Sequence, residues 1–174
     1  MRTHLVLTVI GPDRPGLVSA LSDTVAVGGG NWLDSRMASL AGQFAGILLL
    51  DVEPARADDL RAALRQLDAM GLRLVVEQSP AEAAAANKGR VLKLELIGQD
   101  RPGIVRDISR VLAENHVSIG DFHTERSSAS FSGESMFKAT ALLYLPTGLD
   151  ENALKRGLES LANELMVDLE LQDK

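Results

Sequence analysis

The 174-residue sequence contains no cysteine, and aromatic residues make up only 3% of it. The lack of cysteine excludes disulfides, thiolate metal ligands and a cysteine nucleophile, and it suits a reducing compartment. Because large rings are scarce, any core must be built from Leu, Val, Ile and Ala. A small core of this kind buries limited surface, so we expect each part of the chain to pack on another domain or a second subunit.

Basic clusters and long apolar runs are also missing. The 18 Lys and Arg residues are scattered among 24 acidic residues, for a net charge of −6. A protein that holds DNA by itself needs clustered cations to displace counterions from phosphates, so direct nucleic-acid binding is not expected. The longest apolar stretch, Ile47 to Leu50 with Ala45 and Gly46 before it, is far too short to span a bilayer, and the N-terminal segment lacks a signal-peptide core. We therefore expect a cytoplasmic protein without membrane contact.

The most informative feature is an internal repeat. Residues 5–18 read LVLTVIGPDRPGLV and residues 92–105 read LKLELIGQDRPGIV, an offset of 87 residues (92 minus 5). This period is longer than that of solenoid repeats, so each copy is expected to be a domain. We predict module 1 at residues 1–78, a linker at 79–89 that begins near Pro80 and ends at Gly89, and module 2 at residues 90–174. At the same offset Trp32 aligns with Ile119, which favours core packing over ligand stacking.

Within each copy the pattern predicts strand, helix, strand, strand, helix and strand. In the first copy these are residues 3–10, 15–27, 31–40, 43–53, a helix begun by Asp58–Asp59, and 72–76; in the second they are 91–97, 102–114, 117–126, 135–145, 150–164 and 166–171. This order predicts an α+β fold of two ferredoxin-like βαββαβ modules, each a four-stranded antiparallel sheet with two helices on one face. The open sheet faces favour a homodimer, although a monomer with its sheets packed together would also cover them.

An Asp-Arg-Pro-Gly turn follows the first strand of each copy. Proline is suited to the first turn of a helix, and Asp13 or Asp100 could accept hydrogen bonds from the free amides there. Gly16 and Gly103 have no Cβ, so a ligand could approach the main chain closely. A helix N-terminus attracts a carboxylate. Two interpretations stay open: a turn that only caps a helix, and a ligand site in at least one copy.

A strand, the run Gly-x-Asp-Arg-Pro-Gly-[Leu/Ile]-Val and an amphipathic helix together resemble the ACT domain, a small-molecule sensor that often binds amino acids. The resemblance covers nearly the whole chain as a tandem pair, and a stand-alone pair of this length is similar to the glycine cleavage system transcriptional repressor group. It implies a non-enzymatic sensor that binds a small amino acid, with glycine the first candidate. It also implies contact with a regulatory protein rather than with DNA, and no cofactor.

The resemblance also implies where the ligand sits, namely where the first loop meets the start of the second strand. The implied ligand-binding residues are Gly11, Asp13, Arg14, Gly16, Leu17 and Asn31 in the first copy, and Gly98, Asp100, Arg101, Gly103, Ile104 and Ser118 in the second. Because Asn31 aligns with Ser118, a side-chain amide in one copy is replaced by a hydroxyl in the other. We therefore expect the two sites to differ in affinity or in ligand.

Two other functions remain as alternatives. The chain could be a regulatory subunit or domain that acts on an amino-acid or one-carbon metabolic enzyme, or a structural interaction module without a ligand. The sequence shows no nucleophile–base arrangement and no set of residues at metal-ligand spacing, so neither catalysis nor a metal is expected. The Ser-rich run at residues 127–135 is predicted to be a mobile hairpin loop, with a lid or a docking surface as its alternatives.

Overall fold

The computed structural model describes residues 2–79, 89–128 and 134–173. The chain divides into two compact units, residues 1–86 and 87–174, which are called module 1 and module 2 below. The predicted linker at 79–89 lies outside the described residues except for its two ends. The predicted Ser-rich loop lies outside them at 129–133.

Both modules follow the same element order. Module 1 contains β1 (Thr3–Pro12), α1 (Leu17–Val27), β2 (Asn31–Leu40), β3 (Gln43–Val52), a 3₁₀ turn (Pro54–Arg56), α2 (Ala57–Arg65), a second 3₁₀ turn (Gln66–Met70) and β4 (Arg73–Ser79). Module 2 contains β5 (Val91–Gln99), α3 (Ile104–Glu114), β6 (Ser118–Ser128), β7 (Ser135–Tyr144), α4 (Glu151–Leu165) and β8 (Val167–Asp173).

Each module has one four-stranded antiparallel sheet, with strand order β2-β3-β1-β4 in module 1 and β6-β7-β5-β8 in module 2. Buried and exposed residues alternate along β1 and β3, because successive side chains of a strand point to opposite faces of the sheet. One face of each sheet packs under the two helices of its own module, and neither of these helices lies over the other face. The predicted pair of ferredoxin-like βαββαβ modules is confirmed.

The core of module 1 is almost entirely aliphatic, as the composition predicts. Leu5 and Leu48 from the sheet, Leu21 from α1 and Leu60 from α2 are all fully buried. Trp32 is half-buried against the same cluster, which confirms its packing role. Module 2 has an equivalent cluster, again with residues from both helices and the sheet. Burial of these side chains provides the main driving force for folding of each module.

The first helix of each module begins two residues later than the sequence pattern predicts. Their first residues are Leu17 and Ile104, because the preceding glycines have positive φ and cannot continue a right-handed helix. Among the described residues no helix is both long and apolar enough to cross a membrane.

Candidate ligand site

The Asp-Arg-Pro-Gly turn of module 1 ends in a left-handed backbone position with free space around it. Gly16 has φ +91°, a left-handed conformation that glycine adopts without steric cost. A Cβ placed on Gly16 would have no heavy atom within 4 Å. No side chain caps α1, and its first turn carries no acidic residue. The first amides of α1 therefore have no capping side chain, and they carry the partial positive charge of a helix N-terminus next to the open position of Gly16.

Asp13 does not cap α1, so that part of the sequence prediction is wrong. Its carboxylate oxygen Oδ2 accepts a hydrogen bond from the Ser39 hydroxyl at 2.5 Å, and its main-chain N–H donates to the Gly42 carbonyl at 2.9 Å. Both partners lie at the tip of the β2–β3 hairpin. Asp13 therefore ties the turn to the hairpin and leaves the helix amides unoccupied.

Arg14 is also held by the fold. Its guanidinium donates to the main-chain carbonyl of Met70, at the end of the second 3₁₀ turn. The turn is thus bordered by two neighbouring segments, the hairpin tip with Ser39 and Gly42, and the Met70–Gly71 corner. Sequence reasoning missed Ser39 and Gly42, since both are far from the turn along the chain.

Four of the predicted site residues serve packing in this structure. A Cβ on Gly11 would lie 2.5 Å from the Gly71 carbonyl oxygen, and one on Gly98 would lie 2.8 Å from the Cβ of Val167. Each glycine thus lets the first strand of its module approach the start of the last. The side chains of Leu17 and Ile104 are buried in the two cores.

Module 2 has the same turn with more charge around it. Gly103 has φ +96° and precedes α3, which also lacks a side-chain cap, so Asp100 does not cap its helix either. The Asp100 carboxylate pairs with Arg126 Nε at 2.7 Å, and its main-chain N–H donates to the Ser135 carbonyl at 2.8 Å. Arg126 occupies the position of Ser39 in the repeat (39 plus 87). A guanidinium in module 2 therefore replaces a hydroxyl in module 1.

A second ion pair covers the helix N-terminus of module 2. Arg106 Nε lies 2.8 Å from Asp107 Oδ1, and a Cβ on Gly103 would lie 3.1 Å from the Arg106 guanidinium. The hydrogen bond from Arg106 lowers the pKa of Asp107 below its ordinary value. The charge of Arg101 also contributes to this lowering. A carboxylate already lies in the first turn of α3, so this end is less favourable to a second anion than that of α1.

Asn31 and Ser118 lie far from the turns of their own modules. Asn31 pairs with Asp51, which pairs in turn with His4 at the beginning of β1. The turn follows the other end of β1, about 27 Å away at 3.4 Å per residue. The sheets therefore do not bring Asn31 or Ser118 to the turn within one module, and their role in binding stays a prediction.

Among residues 2–79, 89–128 and 134–173, no group of three His, Asp or Glu side chains could hold a metal ion.

The turn of module 1 offers hydrogen-bond donors at the start of α1, the Asp13 carboxylate and an open approach at Gly16. This arrangement suits a small zwitterion: the amides of α1 would bind its carboxylate, and Asp13 its ammonium group.

Known proteins that are similar to this chain contain ACT domains or share its fold. The ACT domain family model matches residues 3–77 and 91–172. The glycine cleavage system transcriptional repressor of Escherichia coli is 23% identical over 163 residues, which cover 93% of this chain and 85% of that protein. A protein of unknown function from Galdieria sulphuraria has 26% identity and a TM-score of 0.88, covering 100% of this chain and 99% of its own. A candidate glycine cleavage system transcriptional repressor of known structure shares the fold, with 19% identity, a TM-score of 0.71 and coverage of 99% and 97%.

Proposed function

The chain belongs to the ACT domain family, and from that premise we propose that it is a non-enzymatic regulatory sensor whose module 1 binds a small amino acid. The observation that carries this proposal is the open, uncapped N-terminus of α1 beside Gly16. In a structure with a purely capping turn, Asp13 would bond to the helix amides. Here it bonds to Ser39 instead, and the amides are left for another acceptor.

Module 1 is the better candidate of the two. A Cβ on Gly16 has no heavy atom within 4 Å, and a ligand carboxylate there would meet no acidic residue in the first turn of α1. At Gly103 it would meet the Arg106–Asp107 pair, and the Asp100 carboxylate there is already neutralised by Arg126. A ligand ammonium group therefore gains more from Asp13, whose neighbour is an uncharged hydroxyl, than from Asp100.

Glycine is the first ligand to test, for two reasons. The relative from Escherichia coli is named for the glycine cleavage system. In addition, the two groups offered by the turn, amide donors and one carboxylate, match the two ends of an amino acid without requiring a side chain. We propose that binding changes the contact of this chain with a transcriptional regulator, since its charge of −6 and scattered cations do not favour DNA as the direct partner.

Isothermal titration calorimetry of the full chain with a panel of small amino acids tests the ligand part of the proposal. The Gly16→Ala variant should weaken binding at least tenfold, since its Cβ enters the approach path and strains the turn. Gly103→Ala should leave binding unchanged. Gly148→Ala is a matched control, because Gly148 has φ +84° and nothing within 4 Å, and it follows β7 at the end of the module 2 sheet opposite that module's turn.

The absence of binding at millimolar amino acid would refute the sensor and leave the structural interaction module. If Gly103→Ala lost binding while Gly16→Ala still bound the amino acid, the site would lie in module 2 and not in module 1. For the partner, the chain can be used to capture proteins from its source cell with and without the bound amino acid. Capture of a DNA-binding regulator that depends on the amino acid supports the proposal, whereas capture of a metabolic enzyme alone supports the alternative function.

A further inference from the structure

Module 1 has a groove of about 490 Å³ between its two helices. The second half of α1 forms one wall, and α2 with the 3₁₀ turn after it forms the other. The main lining residues are Asp23, Thr24, Val27, Asp59, Ala63 and Leu67. Most of the lining is apolar, and Val27 is 81% exposed. A volume of this size is typical of binding sites on proteins.

Two carboxylates without an ion-pair partner lie on opposite walls of this groove. Asp23 on α1 and Asp59 on α2 are both exposed, and neither forms a salt bridge within the described residues. Asp23 also lies about one turn before the end of α1, where the partial negative charge of a helix C-terminus disfavours an acid. Both carboxylates are therefore suited to a cation that another molecule supplies.

The cation in the lining, Arg56, is already held by the fold. Its guanidinium donates to the main-chain carbonyl of Val27 at 3.0 Å, and it packs so closely on Gly29 that a Cβ there would clash with it. Arg56 thus satisfies a carbonyl at the end of α1, where a positive charge is favoured. Because Arg56 is engaged in this contact, the charges that face an incoming molecule from the two walls are those of Asp23 and Asp59.

Module 2 does not repeat this lining. At the offset of 87 residues, Asp23, Thr24 and Val27 are replaced by Arg110, Val111 and Glu114. Val111 packs against the core of module 2, and a Cβ on Gly157 of α4 would lie 3.4 Å from Val111 Cγ1, so the two helices approach closely there. The acidic walls and the exposed apolar residue between them are therefore specific to module 1.

From these observations we infer that the groove between α1 and α2 docks a basic, amphipathic helix of a protein partner. Such a helix would place apolar side chains against Val27 and Leu67, and its Lys or Arg side chains would reach Asp23 and Asp59. The nine residues of α2 span about 14 Å, which matches two to three turns of a docked helix.

The proposed regulator fits this description, since proteins that bind DNA carry clustered cations. DNA itself does not fit, because two carboxylates repel phosphates. The inference rests on the proposed function for the kind of partner, but it does not require amino-acid binding. It adds a second role for α1, whose first turn belongs to the proposed ligand site.

Titration of the full chain with a synthetic peptide, followed by calorimetry and ¹⁵N–¹H NMR, tests the inference. The probe is an amphipathic helical peptide of about 18 residues made of leucine and lysine, and its analogue with glutamate in place of lysine is the control. The lysine peptide should bind with saturable shifts at the amides of Thr24, Val27 and Ala63. Its affinity should fall as salt is added, and the glutamate peptide should not bind.

Asp23→Arg should weaken binding of the lysine peptide about tenfold or more without lowering the stability of the fold, since the end of α1 favours a cation. Asp59→Asn should weaken it about two- to fivefold, and Val27→Ala about threefold. Glu164→Arg makes the same kind of charge change on an exposed position of α4 and should leave the affinity within about twofold of the wild type. Far-UV circular dichroism checks that each variant is folded.

The inference is overturned if the lysine peptide does not bind, if the glutamate peptide binds equally well, or if Asp23→Arg and Glu164→Arg have the same effect. Self-association of the chain in sedimentation velocity that Asp23→Arg abolishes would show that a second copy fills the groove, which also contradicts it. Because the peptide is titrated without amino acid, and the amino acids without peptide, either proposal can fail without the other.

Discussion

Substituting Gly11 by alanine tests the distinction between a packing glycine and a ligand-binding glycine. A Cβ at Gly11 would lie 2.5 Å from the Gly71 carbonyl oxygen and 2.9 Å from Leu72 Cδ2. Because the nearer atom belongs to the backbone, the two strands must separate to admit it. Such overpacking costs about 1–3 kcal/mol, against a gain of about 0.4–1 kcal/mol from restricting the unfolded chain. We expect a net loss of about 1–2 kcal/mol in the free energy of unfolding.

Urea unfolding followed by tryptophan fluorescence measures this loss of stability in module 1. Trp32 is the only tryptophan in the sequence, and it packs against the module 1 core. With a urea dependence of about 1 kcal/mol per molar for a domain of this size, the midpoint should fall by about 1–2 M. Gly46→Ala in β3 is the matched control. Its Cβ would come within 2.8 Å of Met37 Cγ, a flexible side chain that can yield, so a smaller loss is expected.

If Gly11→Ala proved as stable as the wild type, or no less stable than Gly46→Ala, the packing explanation would be wrong. Gly11 would then return as a candidate ligand contact. The same variant, while folded, should still bind the amino acid that the wild type binds. Gly16→Ala should instead lose binding, and its stability should fall by a similar amount, about 1–2 kcal/mol, because alanine is strained in the left-handed conformation.

Three further outcomes follow from local contacts. Leu60→Ala removes a fully buried side chain and should cost module 1 about 2–5 kcal/mol in the urea assay, while Val27→Ala, at an 81% exposed position, should cost less than about 0.5 kcal/mol. Asp150 accepts from the amides of Asn152 at 3.0 Å and Ala153 at 3.2 Å, so Asp150→Ala should lower the stability of module 2 by about 1 kcal/mol, measured by circular dichroism. Arg106→Gln should raise the Asp107 pKa toward its ordinary value in an NMR titration. The stability that this lowered pKa contributes is present above the unfolded-state pKa and is lost as pH falls through the folded-state pKa.

The repeat and its alternating strands were enough to predict the fold, because hydrophobic period alone distinguishes the strands from the helices. The hairpin strands of module 1 match the prediction almost to the residue, at Asn31–Leu40 and Gln43–Val52. The helix starts were less predictable. Proline favoured a start at residue 15, but the positive φ of Gly16 ends the turn before the helix can begin.

The partners of Asp13 could not be found from local sequence. Asp13 precedes a helix, and there a cap is the usual outcome, yet Ser39 competes for the same carboxylate from 26 residues away.

The position of Asn31, by contrast, could have been predicted from the topology. In a βαββαβ module the helix returns the chain to the starting end of β1, so the second strand begins at the end of the sheet opposite the turn. The repeat offset likewise pairs Ser39 with Arg126, which marks the difference in charge between the two turns.

Glycine binding at the first turn of α1 is tested most directly by a ¹⁵N–¹H NMR titration of the full chain with glycine. Binding at this site predicts saturable shifts of the main-chain amides at Gly16, Leu17 and Val18, with the corresponding amides of Gly103 and Ile104 unchanged. Saturable shifts confined to the α3 amides would place the site in module 2, and no shift at either turn would show that neither binds glycine. Either result would contradict the proposal that the open N-terminus of α1 is the sensor site.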